Sequence, residues 1–229
     1  MLAVFVNALT VILGSTLGML LRKWLKEEYT KTIIFCMGIC VMVIGITGAI
    51  ATSNIVIVIV CLVLGTILGE LVKLEKRLDG TGDWLKKKIP NSGSRFTEGF
   101  VSASLLFCIG SMSIMGSFAA GLRGDYSITL AKATIDGIIS VTLAATMGLG
   151  VAFSALTIIV YQGALTLLAG VVAPILSDPV ITEMSAVGGV MLIATGMNMI
   201  GLTKERIRVG NMLPALIFPA VWFAIAGLF

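Results

Sequence analysis

The strongest constraint on this chain is a succession of apolar stretches, each about as long as a bilayer is thick, separated by short polar joints. Helices of about 20 residues cross a membrane. Stretches near 3–21, 32–51, 54–72, 97–120, 128–148, 152–175, 184–203 and 210–228 approach that length. Only 12% of the residues are charged, where a soluble domain carries about 25%. Little chain remains for a soluble part. The sequence predicts an all-α, polytopic membrane helix bundle of about eight transmembrane helices, one domain over residues 1–229. The joint at 149–153 is so short that the fifth and sixth helices form either a tight hairpin or one broken segment, which would leave seven.

Charge in the joints sets the orientation. The first joint holds Arg22, Lys23, Lys26 and Lys31, the third holds seven cations from Lys73 to Arg95, and the seventh holds Lys204, Arg206 and Arg208. The fourth holds only Arg123, and the second, fifth and sixth none. Cytoplasmic loops collect Lys and Arg, so the first, third and seventh joints are expected inside, and eight crossings put both termini outside. The net charge of +4 then belongs to the lipid surface rather than to nucleic acid. The third joint, near 71–96, reads as an amphipathic surface helix carrying Leu74, Leu78, Trp84 and Leu85, with a flexible link from Pro90 to Ser94. No basic n-region or cleavage site marks a leader, so the first helix is expected to be retained.

Several chemistries lack their residues. The chain has no His and no CxxC, and Cys36, Cys40, Cys61 and Cys108 all lie in apolar segments. They read as reduced apolar filling, with no metal and no cofactor expected. Walker, HExxH and GxSxG patterns are missing too, so an enzyme is not expected.

What demands a reason is a polar stripe inside the fifth helix. Asp125, Thr129, Lys132, Asp136 and Ser140 recur every three or four residues and share one helical face. An Asp or Lys near a helix centre costs about 2.5–3.5 kcal/mol on insertion scales. Lys132 lies about 7 Å below Ser127 and its long stem can snorkel to the surface, whereas Asp136 lies about 13 Å in and cannot. Asp136 is therefore the candidate functional carboxylate and Lys132 its modulator; the alternative is an inert pair clamping helices together. The fourth helix, with Gly110, Ser111, Ser113, Ser117 and Gly121, offers small residues either for close packing or for a discontinuous backbone at midplane. Asn7, Gln162 and Asn198 are further candidates to line a path, each with interhelical hydrogen bonding as its plainer role. Gly14/Gly18 and Gly65/Gly69 read as packing faces within the fold or a dimer.

A faint repeat links helices one to three with six to eight. Val6-Asn-Ala-Leu-Thr-Val-Ile12 resembles Phe153-Ser-Ala-Leu-Thr-Ile-Ile159, and Val41-Met-Val-Ile44 resembles Val190-Met-Leu-Ile193. The two units would start from opposite sides, an inverted repeat of the kind secondary transporters use.

Five motifs carry a likeness to a known family: Gly65-Thr-Ile-Leu-Gly-Glu70, Phe107-Cys-Ile-Gly-Ser-Met-Ser-Ile-Met-Gly-Ser117, Gly121-Leu-Arg-Gly-Asp125, Ala131-Lys-Ala-Thr-Ile-Asp-Gly137 and Tyr161-Gln-Gly163. Together they resemble the prokaryotic domain-of-unknown-function family numbered 554, the YqgA-like membrane proteins. The resemblance spans nearly the whole chain and implies a bacterial inner-membrane protein labelled for transport, with no mechanism attached. Lys132, Asp136 and Gln162 match the family's pattern. A polar residue, often Asp, is expected there in the turn before Gly121-Leu122; Ala119-Ala120 stands instead, so no charged site carries over at that place.

The expectation is a secondary transporter or channel for a small polar solute or ion. Its partners would be the lipid bilayer and a second copy in a homodimer. Asp136, Lys132, Ser111, Ser113, Asn7, Gln162 and Asn198 are its binding candidates. The alternative is a non-transporting structural or accessory membrane protein whose polar residues serve helix packing.

Overall fold

The computed structural model describes residues 1–22, 24, 27–89, 93–109, 111–172 and 176–226, with the side chains of Glu27, Ser111, Val172 and Ala226 outside the description. Its elements are helices: α1 (Leu2–Arg22), α2 (Glu27–Ala49), α3 (Ile55–Val72), α4 (Leu74–Lys88), α5 (Phe96–Cys108), α6 (Ser111–Leu122), α7 (Ser127–Met147), α8 (Gly150–Leu167), α9 (Ala169–Val172), α10 (Asp178–Ile200), a 3₁₀ helix (Val209–Leu216) and α11 (Phe218–Ala226). Six of them, α1, α2, α3, α7, α8 and α10, are long and apolar enough to cross a membrane by length and composition. The pair Phe96–Cys108 and Met112–Leu122, bent by 61° at its break, would make a seventh.

The expected fourth helix is thus two helices. The break falls beside Ile109, and Gly110, Pro90, Asn91 and Ser92, on which parts of the sequence reading fell, lie outside the described residues. The expected eighth helix is also divided. Pro214 sits inside the 3₁₀ helix and Pro219 in the first turn of α11. A proline has no N–H to give an α-helical ladder and its ring crowds the preceding turn, so this apolar segment runs as a 3₁₀ helix followed by a short α-helix. The expected sixth helix ends at Leu167, with only the four-residue α9 beyond it.

Of the spanning helices, α10 is central. Within its most apolar window 72% of residues are buried, against 22% for α2 and 28% for α3. Glycines set how the helices meet. A side chain at Gly14 or Gly18 of α1 would collide with the backbone of Gly137 or Val141 on α7, and one at Gly65 or Gly69 of α3 with Ala215 or Asn211 of the 3₁₀ helix. Both glycine pairs are therefore used in contacts within the fold, which lets backbones approach closely. On α2 and α10, Gly38 faces Gly196 and Gly45 faces Gly189.

Neighbouring contacts fix the directions. Gly14 and Gly18 of α1 meet α7 in ascending order, so those two helices run parallel. Met1 lies beside Gly163, and Arg22 beside Gly148, so α8 runs antiparallel to α1, and the 149–153 joint is a tight hairpin. Gly148 makes that turn at φ +82°, a left-handed conformation glycine adopts freely. The joints rich in cations gather at one end of the bundle. Gly150 packs on the Phe96 backbone. Arg206 bridges Glu75 at 3.1 Å and Asp79 at 3.3 Å, and Arg208 reaches Glu70 at 2.8 Å.

At that end α4 forms the amphipathic segment expected near 71–96. Its Trp84 is exposed, with the Lys88 ammonium 4.1 Å from the ring centre. Its first residues are anchored more firmly than the sequence suggests. Glu75 is buried, accepts from the Gly210 N–H at 2.5 Å, and its own N–H donates to Asn211 Oδ1 at 2.6 Å.

Candidate functional site

The polar stripe of α7 faces inward. Thr129, Lys132, Asp136 and Ser140 are all buried there. Asp125 lies ahead of the helix and does not join them: it accepts from the Ser127 N–H at 3.0 Å and the Ser127 hydroxyl at 2.7 Å. Those two hydrogen bonds hold its carboxyl below the usual carboxylate range. Lys132 does not snorkel. It is 7% exposed and its ammonium binds Asp136 Oδ2 within the same helix. The physical reason is packing: α7 is enclosed by α1, α5 and α8, the Phe107 ring centre lies 6.0 Å from Nζ, and the nearest counter-charge is one turn away.

From Asp136 the polar contacts run outward through three more helices. Asn7 of α1 donates from Nδ2 to Asp136 Oδ2 and to Gln162 Oε1, at 3.1 Å each. Gln162 of α8 donates from Nε2 to Ser113 Oγ of α6 at 3.0 Å. Asn7 and Gln162 are fully buried and Ser113 is 1% exposed. Among the described residues, Asn7 Oδ1 and Thr129 Oγ1 are buried with no hydrogen-bond partner. Five of the seven residues singled out from the sequence, Asn7, Ser113, Lys132, Asp136 and Gln162, thus form one connected network. The helix break is part of it, because Ser113 lies in the first turn of α6.

The other two are not in the network. Asn198, two residues from the end of α10, receives the Ile207 N–H on Oδ1 and donates Nδ2 to the Ile207 carbonyl, both at 2.8 Å. That reciprocal pair clamps the 201–208 turn to the helix. The side chain of Ser111 lies outside the described residues.

Beside the network lies a cavity of about 530 Å³, between α2, α5, α6, α7 and α10. Lys132, Asp136 and Ser113 contribute its polar wall, and Ile44, Ile109, Ile135 and Leu192 are among its apolar lining. The cavity opens at the surface, where Ile44, Met112 and Ile135 of its lining are exposed; charged groups buried inside a transmembrane bundle are the usual markers of a solute or proton path.

Two buried acids were not singled out from the sequence. Glu183 of α10, 1% exposed, accepts from the Thr52 hydroxyl at 2.5 Å and from the N–H groups of Ser53 and Asn54 at 2.8 and 3.3 Å. Glu75 is the second. Burial pushes its carboxyl above the usual range, against the lowering pull of Arg206 and the Gly210 N–H. Both stand near helix ends, where composition gives a charge no special weight; only their burial distinguishes them. Among the described residues no group of three or more His, Cys, Asp or Glu gathers to hold a metal.

A family model described as a protein of unknown function (DUF554) matches residues 2–224. The uncharacterized membrane protein YdfK of Bacillus subtilis (strain 168) is 35% identical over 223 residues, covering 94% of this chain and 92% of that one. The uncharacterized protein YqgA of Escherichia coli (strain K12) is 29% identical over 232 residues, covering 96% of this chain and 98% of that one. No solved structure matches.

Proposed function

The chain belongs to the DUF554 family of uncharacterised membrane proteins, and from that premise we propose that it is a secondary transporter or channel for a small polar solute or ion in the bacterial inner membrane. Asp136 is the coordinating carboxylate, Lys132 its counter-charge, and Asn7, Gln162 and Ser113 hold the pair in register. The carrying observation is convergence: four helices each aim a buried polar side chain at one network, which borders a cavity where α5 gives way to α6. Broken helices whose first turn meets a polar site at membrane depth are how transporter folds present backbone to a solute. A static bundle has cheaper glue, since an interhelical hydrogen bond contributes only about 0.6 kcal/mol on average while each charge costs several times that.

Two arrangements support this reading. In the inverted repeat, helices one to three correspond to α8, α10 and the C-terminal pair. Each unit then packs on its counterpart: α1 on α8, α2 on α10, and α3 on the 3₁₀ helix and α11. The cation-rich end is the cytoplasmic one by the positive-inside rule, which leaves α1 and α7 entering from outside. The test is flux of candidate ions and small solutes into proteoliposomes, comparing wild type with Asp136→Asn. Full flux by the variant sinks the proposal.

The alternative, a structural or accessory membrane protein, draws on one observation. Lys132 already neutralises Asp136 within the same helix, as a closed clamp would require. It predicts that Asp136→Asn lowers thermal stability in detergent while no solute stabilises the wild type.

A further inference from the structure

The Lys132–Asp136 pair leaves hydrogen-bonding capacity unused, and both residues line the same cavity. Among the described residues the Lys132 ammonium donates only to Asp136 Oδ2, so two of its three N–H groups are free. Asp136 receives Lys132 and Asn7 on Oδ2 and nothing on Oδ1. Both side chains are more than nine-tenths buried. An unspent donor and an unspent acceptor thus sit side by side on the cavity wall. Ser113 borders the same space, in the first turn of a helix whose leading amides have no partner within it.

Charge balance selects the ligand. Among the described residues lining the cavity, Lys132 and Asp136 are the only charged ones, so the wall is net neutral. A lone cation would sit against the Lys132 ammonium with no second anion to compensate it. A lone anion would face Asp136 in the same way. Uncompensated charge in a low-dielectric site is strongly disfavoured. A solute bearing both signs satisfies both free groups and adds no net charge. The remaining wall includes Ile44, Ile139 and Leu192, which calls for an apolar body. The volume of about 530 Å³ falls in the usual range for small-molecule pockets, about 300–1,000 Å³.

We propose that this cavity binds a small zwitterion with an apolar body, the chemical class being an α-amino acid. Its ammonium meets Asp136 Oδ1, its carboxylate meets the Lys132 ammonium, and its side chain lies on Ile44, Ile139 and Leu192. The inference rests on the transport reading for its purpose and narrows it to a solute class; binding itself can be measured without transport.

The test is calorimetric titration of the full-length protein in nanodiscs with three probes of one shape. L-leucine carries both charges, 3-methylbutylamine lacks the carboxylate, and 4-methylpentanoate lacks the ammonium. L-leucine is expected to bind roughly 30-fold more tightly than either single-charge probe, because each of those leaves a buried charge unanswered. Asp136→Asn should weaken L-leucine and 3-methylbutylamine but not 4-methylpentanoate. Equal affinity for all three probes, or no binding of L-leucine to the wild type, overturns the proposal even if the variant does not fold. If L-leucine binds but no solute crosses proteoliposomes, the transport reading falls and this one stands. If Asp136-dependent flux is found for an inorganic ion with no L-leucine binding, this one falls and transport stands.

Discussion

Asn7 of α1 donates to Asp136 of α7 at 3.1 Å, across 129 residues of chain, and both are buried. The same amide nitrogen reaches Gln162 Oε1, so a single NH₂ group ties three helices together. Its removal orphans the buried Gln162 Oε1 and takes one of two donors from Asp136 Oδ2, which keeps Lys132. A buried acceptor left unmade costs about 1–3 kcal/mol, more when it is charged, whereas interhelical hydrogen bonds in membranes average only about 0.6. Orphaning should outweigh the average here, since Gln162 is fully buried. Asn7→Leu is expected to destabilise the protein by roughly 2 kcal/mol, read as a lower midpoint in chemical unfolding from detergent micelles. A change within error would mean that the network relaxes around the gap.

The Lys132–Asp136 pair calls for a double-mutant cycle. Replacing one partner leaves a buried charge without its counter-charge, at a cost of about 3–5 kcal/mol, while replacing both by apolar groups of similar volume is often neutral. Lys132→Met and Asp136→Leu should each lower stability sharply, and the double variant should recover most of the loss. Flux separates the two readings of the protein. The double variant is expected to fold and carry nothing if the pair serves transport; a stable double variant with no functional change in the cell favours the structural alternative.

How far the sequence reached can be judged from these same residues. The α7 stripe was legible because helical periodicity alone puts Thr129, Lys132, Asp136 and Ser140 on one face. Asn7, Ser113 and Gln162 were recognisable as polar groups at membrane depth, but not as one network. Their meeting depends on how α1, α6, α7 and α8 cross, which no local pattern encodes. Asn198 shows the same gap from the other side: an amide of the same type, close to the end of its helix, is used to clamp a turn. The fate of Lys132 turned on tertiary enclosure rather than on depth. Glu75 and Glu183 stand where a charge is cheap in an isolated helix, and only the packing of α4 on the 3₁₀ helix and of the 52–54 turn on α10 buries them. The break after α5 was readable as a Gly-Ser-rich stretch, though close packing explained that composition equally well.

Glu75 gives the stability a pH dependence with a definite sign. Burial raises its carboxyl above the ordinary value of 4.5, only partly offset by Arg206 and the Gly210 N–H. In the folded state the proton is therefore held more tightly than in the unfolded chain. The native state binds more protons between the ordinary and the raised pKa, so the Glu75 contribution to stability is fully present below pH 4.5 and is lost as pH rises through that window. Asp125 acts with the opposite sign and lower down, its lowered pKa withdrawing stability only as pH drops beneath its ordinary 3.8. The two windows do not overlap. Glu75→Gln should flatten the decline above pH 4.5, measured as the detergent melting midpoint against pH, and leave the acid limb unchanged.

Glu183 supplies the sharpest contrast between shape and charge. Its carboxylate caps the start of α3 through the Ser53 and Asn54 N–H groups and the Thr52 hydroxyl, all of them donors. Anions near a helix N-terminus are favoured by its positive end. Glu183→Gln preserves the volume but turns one acceptor oxygen into an NH₂ that faces either the Thr52 hydroxyl or the Ser53 and Asn54 N–H groups. The hydroxyl can rotate to accept from it; the backbone N–H groups cannot. The amide should therefore settle with its oxygen toward Ser53 and Asn54, keeping the backbone contacts and losing the charge assistance. Hydrogen bonds to charged groups contribute about 1.5–3 kcal/mol and neutral ones about 1, so a loss of roughly 1 kcal/mol is expected, against several for Glu183→Leu. Amide hydrogen exchange at residues 52–57 is the local readout. It should quicken modestly in Glu183→Gln and strongly in Glu183→Leu, while protection of α7 stays unchanged in both. Equal quickening in the two variants would assign the effect to the charge that both lose rather than to the hydrogen bonds that only Glu183→Leu removes.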